Sequence, residues 1–392
     1  VAGLRATASH KPLMENVPEQ DATVVARLRS AGVIILGKTN LPELALDSQT
    51  NSPVFGRTNN PWDPERTPGG STGGGAAAVA AGISFLELGN DFMGSLRIPA
   101  HFCGIYGLVP TTGLIPKKGF IPQPPPGGTF GQMLRMGMLS RSVEDLRIGL
   151  SVVAGQGPDE PETVPVNWSG VSQEGSIIRI AWTDDLNTPV SEETCRVIRD
   201  FAQKLNTHGF IVERVNPDFF DFDLSRRVFL RLFYSVMGTR MQPAVRWLVR
   251  VFGSPYLDMN LSKYLAAEAA RIRLINDLES FFKRWDVLLC PVTATPAFRH
   301  LRPDRYQGPN PIYTKGIEVD GKRVPYATAN LAMTIPFSLT GHPVVTVPVG
   351  FSNEGLPIGV QVVGRRWNDA GLLDVAARLA KVSGGWRMPQ IV

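Results

Sequence analysis

The sequence predicts an α/β fold, in which a single large domain has a twisted mixed β-sheet core covered by helices on both faces. Short apolar runs rich in β-branched residues alternate with amphipathic helical patterns through most of the chain. No internal repeat interrupts this alternation. The Pro/Gly-rich stretch 121–128 (IPQPPPGG) lies between strongly patterned segments, so we interpret it as a rigid surface loop and not as a linker. Residues 1–392 are therefore expected to form one domain.

The first helix-to-strand unit lies between residues 21 and 37. Apolar residues at helical spacing after Asp21 predict an amphipathic helix, which Gly32 closes. The apolar, β-branched run 33–36 then predicts a buried strand that ends at Gly37.

The remaining elements follow from the same two periodicities. Residues 75–81 are mostly alanine, so we expect this helix to lie deep against other backbone. Residues 226–252 mix arginines with large apolar side chains, and we favour a helical pair packed on the core over a surface that approaches a membrane. The other predicted strands are 179–182, 210–215, 286–290, 344–349 and 359–363, and the other predicted helices are 191–208 and 370–381.

Composition and charge exclude several classes of protein. The net charge is +5, from 40 basic and 35 acidic side chains without long runs, so no nucleic-acid surface is implied. No apolar stretch approaches the roughly 18 residues of a transmembrane helix. The three cysteines lack CxxC spacing and suggest neither a disulfide framework nor a zinc site, which predicts a reducing, cytoplasmic location.

Two serines in glycine-rich turns, Ser71 and Ser95, are the candidate catalytic residues. A serine beside glycine at a helix entrance is often only a cap or a turn residue. However, Gly94 lets the backbone approach a ligand closely, and residues 90–95 are able to aim consecutive N–H groups at one point. An oxyanion requires such an arrangement of donors.

A serine nucleophile needs a base, and the histidines are poor candidates. The hydroxyl is a weak nucleophile until a neighbouring group accepts its proton. Only His101 is near Ser95 in the sequence, there is no GxSxG elbow, and a lone histidine is more often structural. The base is therefore expected to be a group other than imidazole.

Residues 69–104 resemble the amidase signature, the glycine- and serine-rich block of amide hydrolases that use a Ser, cis-Ser and Lys triad. They read GGSTGGGAAAVAAGISFLELGNDFMGSLRIPAHFCG. The resemblance covers nearly the full chain and implies the amidase signature fold and hydrolysis of a linear carbon–nitrogen amide bond, with no metal and no organic cofactor. Further segments in the family's order are 21–45 (DATVVARLRSAGVIILGKTNLPELA), 59–63 (NNPWD), 140–146 (SRSVEDL), 336–350 (PFSLTGHPVVTVPVG) and 355–366 (GLPIGVQVVGRR).

The resemblance implies roles for the two serines. Ser95 corresponds to the nucleophile that forms the acyl-enzyme. Ser71, 24 residues earlier (95 − 71), corresponds to the bridging serine, which follows a cis peptide bond. In the family this serine relays the nucleophile's proton to a neutral lysine, whose charge is lost by desolvation.

The residues around Ser95 also correspond to family positions. Asp91 and Arg97 match a carboxylate and a guanidinium that support the nucleophile loop structurally. Phe92 and Met93 replace the small residues that the family often has there, so the acyl pocket is expected to be reshaped, unless both side chains point into the core. The implied oxyanion hole consists of the backbone N–H groups of Phe92, Met93, Gly94 and Ser95.

The family's lysine has no counterpart in these residues. It lies a few positions upstream of the stretch that VAGLRATAS resembles, and this sequence begins at Val1. Lys11 and Lys38 are the nearest lysines, but neither occupies the matching position. We expect the catalytic lysine upstream of Val1, in an N-terminal segment that these 392 residues lack.

Two alternatives stay open at this stage. One is an amidotransferase-type subunit that releases ammonia from glutamine and works with partner subunits. The other is a non-catalytic binding protein with the same fold. The expected partner is a small-molecule amide, which the sequence does not identify, and a homodimer is also compatible with the sequence.

Overall fold

The computed structural model describes residues 1–120, 129–166, 177–239, 260–307 and 310–390. The α-helices are α1 (Thr23–Ser30), α2 (Gly73–Ala80), α3 (Arg97–Cys103), α4 (Thr129–Met133), α5 (Val143–Val153), α6 (Glu192–Asn206), α7 (Phe222–Thr239), α8 (Leu261–Phe281), α9 (Tyr326–Leu331), α10 (Ile335–Thr340) and α11 (Asp369–Ser383). The strands are β1 (Asn51–Ser52), β2 (Gly56–Arg57), β3 (Leu86–Asp91), β4 (Tyr106–Val109), β5 (Arg135–Ser140), β6 (Arg179–Trp182), β7 (Ile211–Arg214), β8 (Val287–Pro291), β9 (Arg305–Gln307), β10 (Asn310–Ile312), β11 (Ile317–Val319), β12 (Lys322–Val324), β13 (Val344–Phe351) and β14 (Pro357–Gly364).

Eight of these strands form one mixed sheet. Its order is β3-β5-β4-β13-β14-β8-β6-β7, so the long hairpin β13–β14 lies at the centre and β3 at one edge. Strand β6 pairs in parallel with β7 and β8, whereas the other neighbours are antiparallel. This arrangement confirms the predicted mixed sheet.

Helices cover both faces of the sheet because its central strands are apolar on both sides. Every residue of β14 is buried. Val362 packs into a core cluster that includes residues of α1, α5, α6 and α11. The next residue, Val363, packs into a second cluster with residues of α7 and α8, since successive side chains of a strand point to opposite faces.

The predicted helices at 191–208 and 370–381 and the five predicted later strands are all present, with ends that differ by a few residues. The small-residue helix is α2, and most of its residues are buried, as expected.

The predicted buried strand at 33–36 is wrong. These residues are extended but belong to no strand, and the exposed fractions of Ile34 and Leu36 are 82% and 72%. An apolar, β-branched run is suited to a strand, but it becomes a buried strand only where another strand pairs with it. Among the described strands, β3 pairs with β5 alone, so its other edge offers no partner within the described chain.

Two sequence interpretations fall partly or wholly outside the described residues. The loop at 121–128 is one of them, and it stays a prediction. Of residues 226–252, only those up to 239 are described; they belong to α7, which packs along α8. In the described ranges, no helix has the length and apolar character needed to cross a membrane.

Candidate active site

The turn before α2 brings Ser71 against the segment that contains Ser95. The backbone N–H of Thr72 donates a hydrogen bond to the carbonyl oxygen of Ser95 at 3.1 Å. The Gly70–Ser71 peptide bond is cis, as the family resemblance implies. Ser71 is 3% exposed, whereas Ser95 is partly exposed. The two serines therefore come together on neighbouring turns, and Ser95 lies nearer to solvent.

Ser95 lies in the short turn that joins strand β3 to helix α3. Gly94 has φ +119°, a conformation that favours glycine. A Cβ atom at this position would lie 2.8 Å from Ile98 Cδ1 and from Thr334 Oγ1. Both the backbone conformation and the lack of space require glycine immediately before the predicted nucleophile.

A buried ion pair between Asp91 and Arg97 supports this turn. Both side chains have no exposed surface, and Arg97 Nη2 lies 2.7 Å from Asp91 Oδ1 while Arg97 Nε lies 3.1 Å from Oδ2. The same carboxylate accepts hydrogen bonds from the N–H groups of Gly94 (2.9 Å) and Leu96 (3.1 Å). Burial alone would raise the pKa of Asp91, but the Arg97 guanidinium holds this pKa below its ordinary value.

Arg97 in turn joins the turn to distant parts of the chain. Its Nη1 donates to the carbonyl oxygen of Thr334 (2.8 Å) and to Gln361 Oε1 (3.0 Å), and its Nη2 donates to Ser338 Oγ (2.7 Å). Thr334 also donates its hydroxyl to the carbonyl oxygen of Met93. The predicted oxyanion loop is thus held by two ordered segments, 334–338 and β14.

The four N–H groups predicted for the oxyanion hole are not equivalent. That of Gly94 donates to Asp91 and is therefore already engaged. Within the described ranges, those of Met93 and Ser95 have no protein acceptor. Backbone donors that lack a protein acceptor beside a serine are what a developing oxyanion requires.

The described residues place no base against the serines. Neither the Ser71 nor the Ser95 hydroxyl has a hydrogen-bond partner in the part of the chain that the structure describes, so no bond joins the two directly. Lys38 Nζ donates to the carbonyl oxygen of Arg5 instead, and Lys11 is exposed.

His101 is a structural residue. Its Nδ1 accepts a hydrogen bond from the N–H of Gly359 at 2.7 Å, so its Nε2–H donates to the carbonyl oxygen of Thr295 at 3.2 Å. Burial lowers the pKa of His101 to about 4, which keeps the ring neutral. This geometry agrees with the expectation that the base is not imidazole.

The side chain of Phe92 packs against helix α7. The Phe92 ring lies 5.1 Å from that of Phe229 and 5.7 Å from that of Phe233, both on α7. Met93 packs against the second core cluster, the one that contains Val363, and both residues stay partly exposed. Phe92 thus links the predicted oxyanion loop to α7 by aromatic packing.

Sequence reasoning did not identify Thr334, Ser338 or Gln361 as parts of this site. They lie more than 230 residues after Ser95, and each belongs to an otherwise apolar, buried segment. The available signal was a polar side chain among fully buried neighbours, which requires a hydrogen-bond partner. In this structure the partner is Arg97 or its loop.

Comparison with known proteins gives concordant results. A family model described as Amidase matches residues 1–373. A glutamyl-tRNA(Gln) amidotransferase subunit of Moorella thermoacetica (strain ATCC 39073 / JCM 9320) is 30% identical over 408 residues, which cover 95% of this chain and 79% of that protein. The same subunit from Prochlorococcus marinus (strain MIT 9313) is 33% identical over 413 residues, with the same two coverages.

Solved structures give the same result. A 6-aminohexanoate cyclic dimer hydrolase complexed with substrate has a TM-score of 0.81 and 28% identity, and the match covers 100% of this chain and 84% of that one. The corresponding glutamyl-tRNA(Gln) amidotransferase subunit from Thermotoga maritima has a TM-score of 0.79 and 27% identity, again with 100% and 84% coverage. Such neighbours share both the fold and a detectable part of the sequence.

Proposed function

Because this chain belongs to the amidase family, we propose that it hydrolyses a carboxylic amide bond through an acyl-enzyme formed on Ser95. One observation carries the proposal: Ser95 is partly exposed in a rigid turn, beside backbone N–H groups that are available as donors. These are the N–H groups of Met93 and of Ser95 itself, which donate to no acceptor among the described residues. The Ser95 hydroxyl and these N–H groups supply a nucleophile and electrostatic stabilisation at one point.

The proposed reaction has two halves. Ser95 Oγ bonds to the acyl carbon while its proton passes by way of Ser71 to a base, and negative charge develops on the carbonyl oxygen beside the N–H groups of Met93 and Ser95. The tetrahedral intermediate then expels the amine, which takes up the proton. A water molecule then attacks the acyl carbon and gives up one proton, which passes by way of Ser71 and the base to Ser95 Oγ. The bond between the acyl carbon and Oγ breaks, and the carboxylic acid leaves. Asp91 and Arg97 have a supporting role, since they hold the turn without facing the substrate.

The base that we propose is a lysine, as the family's Ser, cis-Ser and Lys triad implies. We expect it to be neither Lys11, which is exposed, nor Lys38, whose Nζ donates to the carbonyl oxygen of Arg5. If this assignment is right, alanine substitution of Lys11 or Lys38 leaves the reactivity of Ser95 unchanged, whereas a marked loss in either variant would place the base within these residues.

Covalent labelling by a serine-directed fluorophosphonate tests the nucleophile. The Ser95→Ala variant is expected to lose all labelling, and Ser71→Ala is expected to slow it by roughly 10²–10⁴-fold, the range for a lost proton-transfer group. Ser151→Ala, which removes an exposed serine on α5, serves as the matched control. Full labelling of Ser95→Ala, with the adduct on another residue, would refute the assignment.

The sequence relatives favour a second candidate function, glutamine-dependent ammonia release within an amidotransferase. The two relatives compared above are both amidotransferase subunits. The rates of ammonia release from glutamine and from hexanamide distinguish the two functions. A preference for glutamine, together with copurification of a second subunit, would replace the first proposal. A protein that does not label at Ser95 at all would instead support the non-catalytic alternative.

A further inference from the structure

A polar cluster centred on Asp47 lies directly beside the predicted catalytic turn. The loop 47–49 touches Gly70, the residue before Ser71, so closely that a Cβ atom on Gly70 would lie 2.5 Å from the carbonyl oxygen of Asp47. On its other side, this loop is bonded to the segment that carries the small hairpins β9–β12: Gln49 and Leu301 exchange two hydrogen bonds, at 2.9 and 3.3 Å. The loop therefore lies between the residue before Ser71 and the segment that carries β9–β12.

The Asp47 carboxylate accepts hydrogen bonds from two tyrosine hydroxyls. Tyr313 Oη donates to Oδ2 at 2.6 Å and Tyr326 Oη donates to Oδ1 at 2.7 Å. The two rings are stacked, with centroids 4.1 Å apart. All three residues are partly exposed.

The direction of these hydrogen bonds decides what the cluster is able to bind. Because both hydroxyl protons are donated to the carboxylate, both oxygen atoms present only lone pairs to their other neighbours. Burial raises the pKa of both tyrosines above the ordinary value, so neither hydroxyl ionises at neutral pH. The Gln49 amide also faces both hydroxyl oxygens, but one of its two hydrogens is donated to Leu301, so it cannot fill the two lone pairs of each oxygen. The cluster thus keeps acceptor capacity with one negative charge directly behind it.

The charge of Asp47 has no protein counter-ion. In the ranges that the structure describes, no arginine, lysine or histidine forms an ion pair with it. Ser48 and Gln49, the other two side chains of the loop, are uncharged, and Gln49 is bonded to Leu301. A partly buried carboxylate without a counter-ion is costly unless a cation compensates it.

We propose that this cluster is a specificity site for the ammonium group of an amine-bearing amide substrate. The ammonium would donate to Tyr313 Oη and Tyr326 Oη, with the Asp47 charge behind them, while the amide bond lies at Ser95. This inference rests on the proposed amide hydrolysis, because it names the class of amide. It assigns Asp47 and the two tyrosines to recognition and gives them no part in bond cleavage.

Binding to the Ser95→Ala protein tests this inference without turnover. The probes are three pairs of primary amides of equal length, one member ending in an ammonium and the other in a methyl group: 4-aminobutanamide with pentanamide, 6-aminohexanamide with heptanamide, and 8-aminooctanamide with nonanamide. Calorimetry at pH 7.5 is expected to show, for at least one pair, about tenfold tighter binding of the ammonium member, the value of one compensated charge near a surface.

Variants in the Ser95→Ala background locate the effect. Asp47→Asn is expected to reduce the preference to about unity, and Tyr313→Phe is expected to reduce it several-fold, because one acceptor is lost. Glu318→Gln, which removes an exposed carboxylate on β11, is the matched control and should leave the preference intact. Circular dichroism verifies that each variant is folded. If Asp47→Asn does not fold, Tyr313→Phe provides the test.

Two results would overturn the inference. One is tighter or equal binding of the methyl member in all three pairs. The other is an ammonium preference that survives Asp47→Asn, which would place the cation elsewhere. Failure of the proposed function looks different: fluorophosphonate labelling would not depend on Ser95, whatever the ammonium preference is.

Discussion

Two carboxylates, Asp91 beside the turn that contains Ser95 and Asp47 in the loop beside Gly70, are stabilised in contrasting ways. Asp91 is fully buried, and a guanidinium and backbone N–H groups complete its surroundings. Asp47 is partly exposed and is held by two neutral hydroxyls. Accordingly, the pKa of Asp91 is lowered, whereas burial raises that of Asp47 to about 6.

This contrast suits the two carboxylates to different roles: Asp91 supports the turn that contains Ser95, whereas Asp47 is the proposed recognition group. A neutralised buried ion pair such as Asp91–Arg97 holds the backbone in place, but it is not able to bind a ligand as well, because all of its polar atoms already form hydrogen bonds. A carboxylate held by neutral donors keeps its net charge and is able to respond to a charged ligand. We therefore expect changes at Asp91 or Arg97 to affect the whole site, and changes at Asp47 to affect selectivity and pH dependence.

The largest expected effect is that of Arg97→Met, which leaves Asp91 buried and unpaired. Loss of one partner of a buried ion pair lowers the free energy of unfolding by about 3–5 kcal/mol. Arg323→Met is the control: Arg323 pairs with Glu318 at the surface, where both side chains are more than 60% exposed, and the loss should be under about 1 kcal/mol. Urea denaturation measures both. Equal losses in the two variants would mean that the Asp91–Arg97 pair does not support the turn.

The next effect is that of Gly70→Ala, at the contact between the predicted catalytic turn and the Asp47 loop. The added Cβ atom would lie 2.8 Å from the carbonyl carbon of Ser48 as well as close to the Asp47 oxygen, so the loop must move. We expect a loss of up to about 3 kcal/mol in the free energy of unfolding and slower fluorophosphonate labelling at Ser95. Gly37→Ala, where the added atom meets nothing within 4 Å, should change neither quantity. Wild-type labelling by Gly70→Ala would argue that the loop and the turn are independent.

A smaller effect concerns pH and has opposite signs at the two carboxylates. Since the folded pKa of Asp47 is raised to about 6, the folded state binds a proton that the unfolded state has lost. The stability that Asp47 contributes is therefore present below its unfolded pKa and is lost as the pH rises through about 6. For Asp91, whose pKa is lowered, stability is instead lost as the pH falls.

Comparison of wild type with Asp47→Asn isolates the first contribution, because Asp91 is common to both proteins. The advantage of wild type over Asp47→Asn in the free energy of unfolding should shrink by about 1–2 kcal/mol between pH 4 and pH 7. Chemical denaturation at several pH values measures this difference. A difference that stays constant or grows with pH would show that burial does not raise the pKa of Asp47.

Much of the fold and of the candidate site was predictable from local sequence. Helix α6 and strands β13 and β14 have the apolar periodicity of their structure, and each lies within a few residues of its predicted bounds. The pairing of Ser71 with Ser95 followed from a family motif in which the two serines are only 24 positions apart. Their roles in catalysis stay predictions until labelling is measured.

What local sequence determined about this protein is therefore which segments are helices or strands and which short motif brings two serines together. Tertiary structure alone decided that residues 33–36 are exposed, that Asp91 engages the N–H of Gly94, and that Asp47 meets tyrosines 266 and 279 residues further along the chain. Periodicity reflects interactions between near neighbours in sequence, whereas the burial of a strand or a charge depends on which distant segment lies beside it. The order of strands in the sheet sets those neighbours, and no local pattern encodes that order.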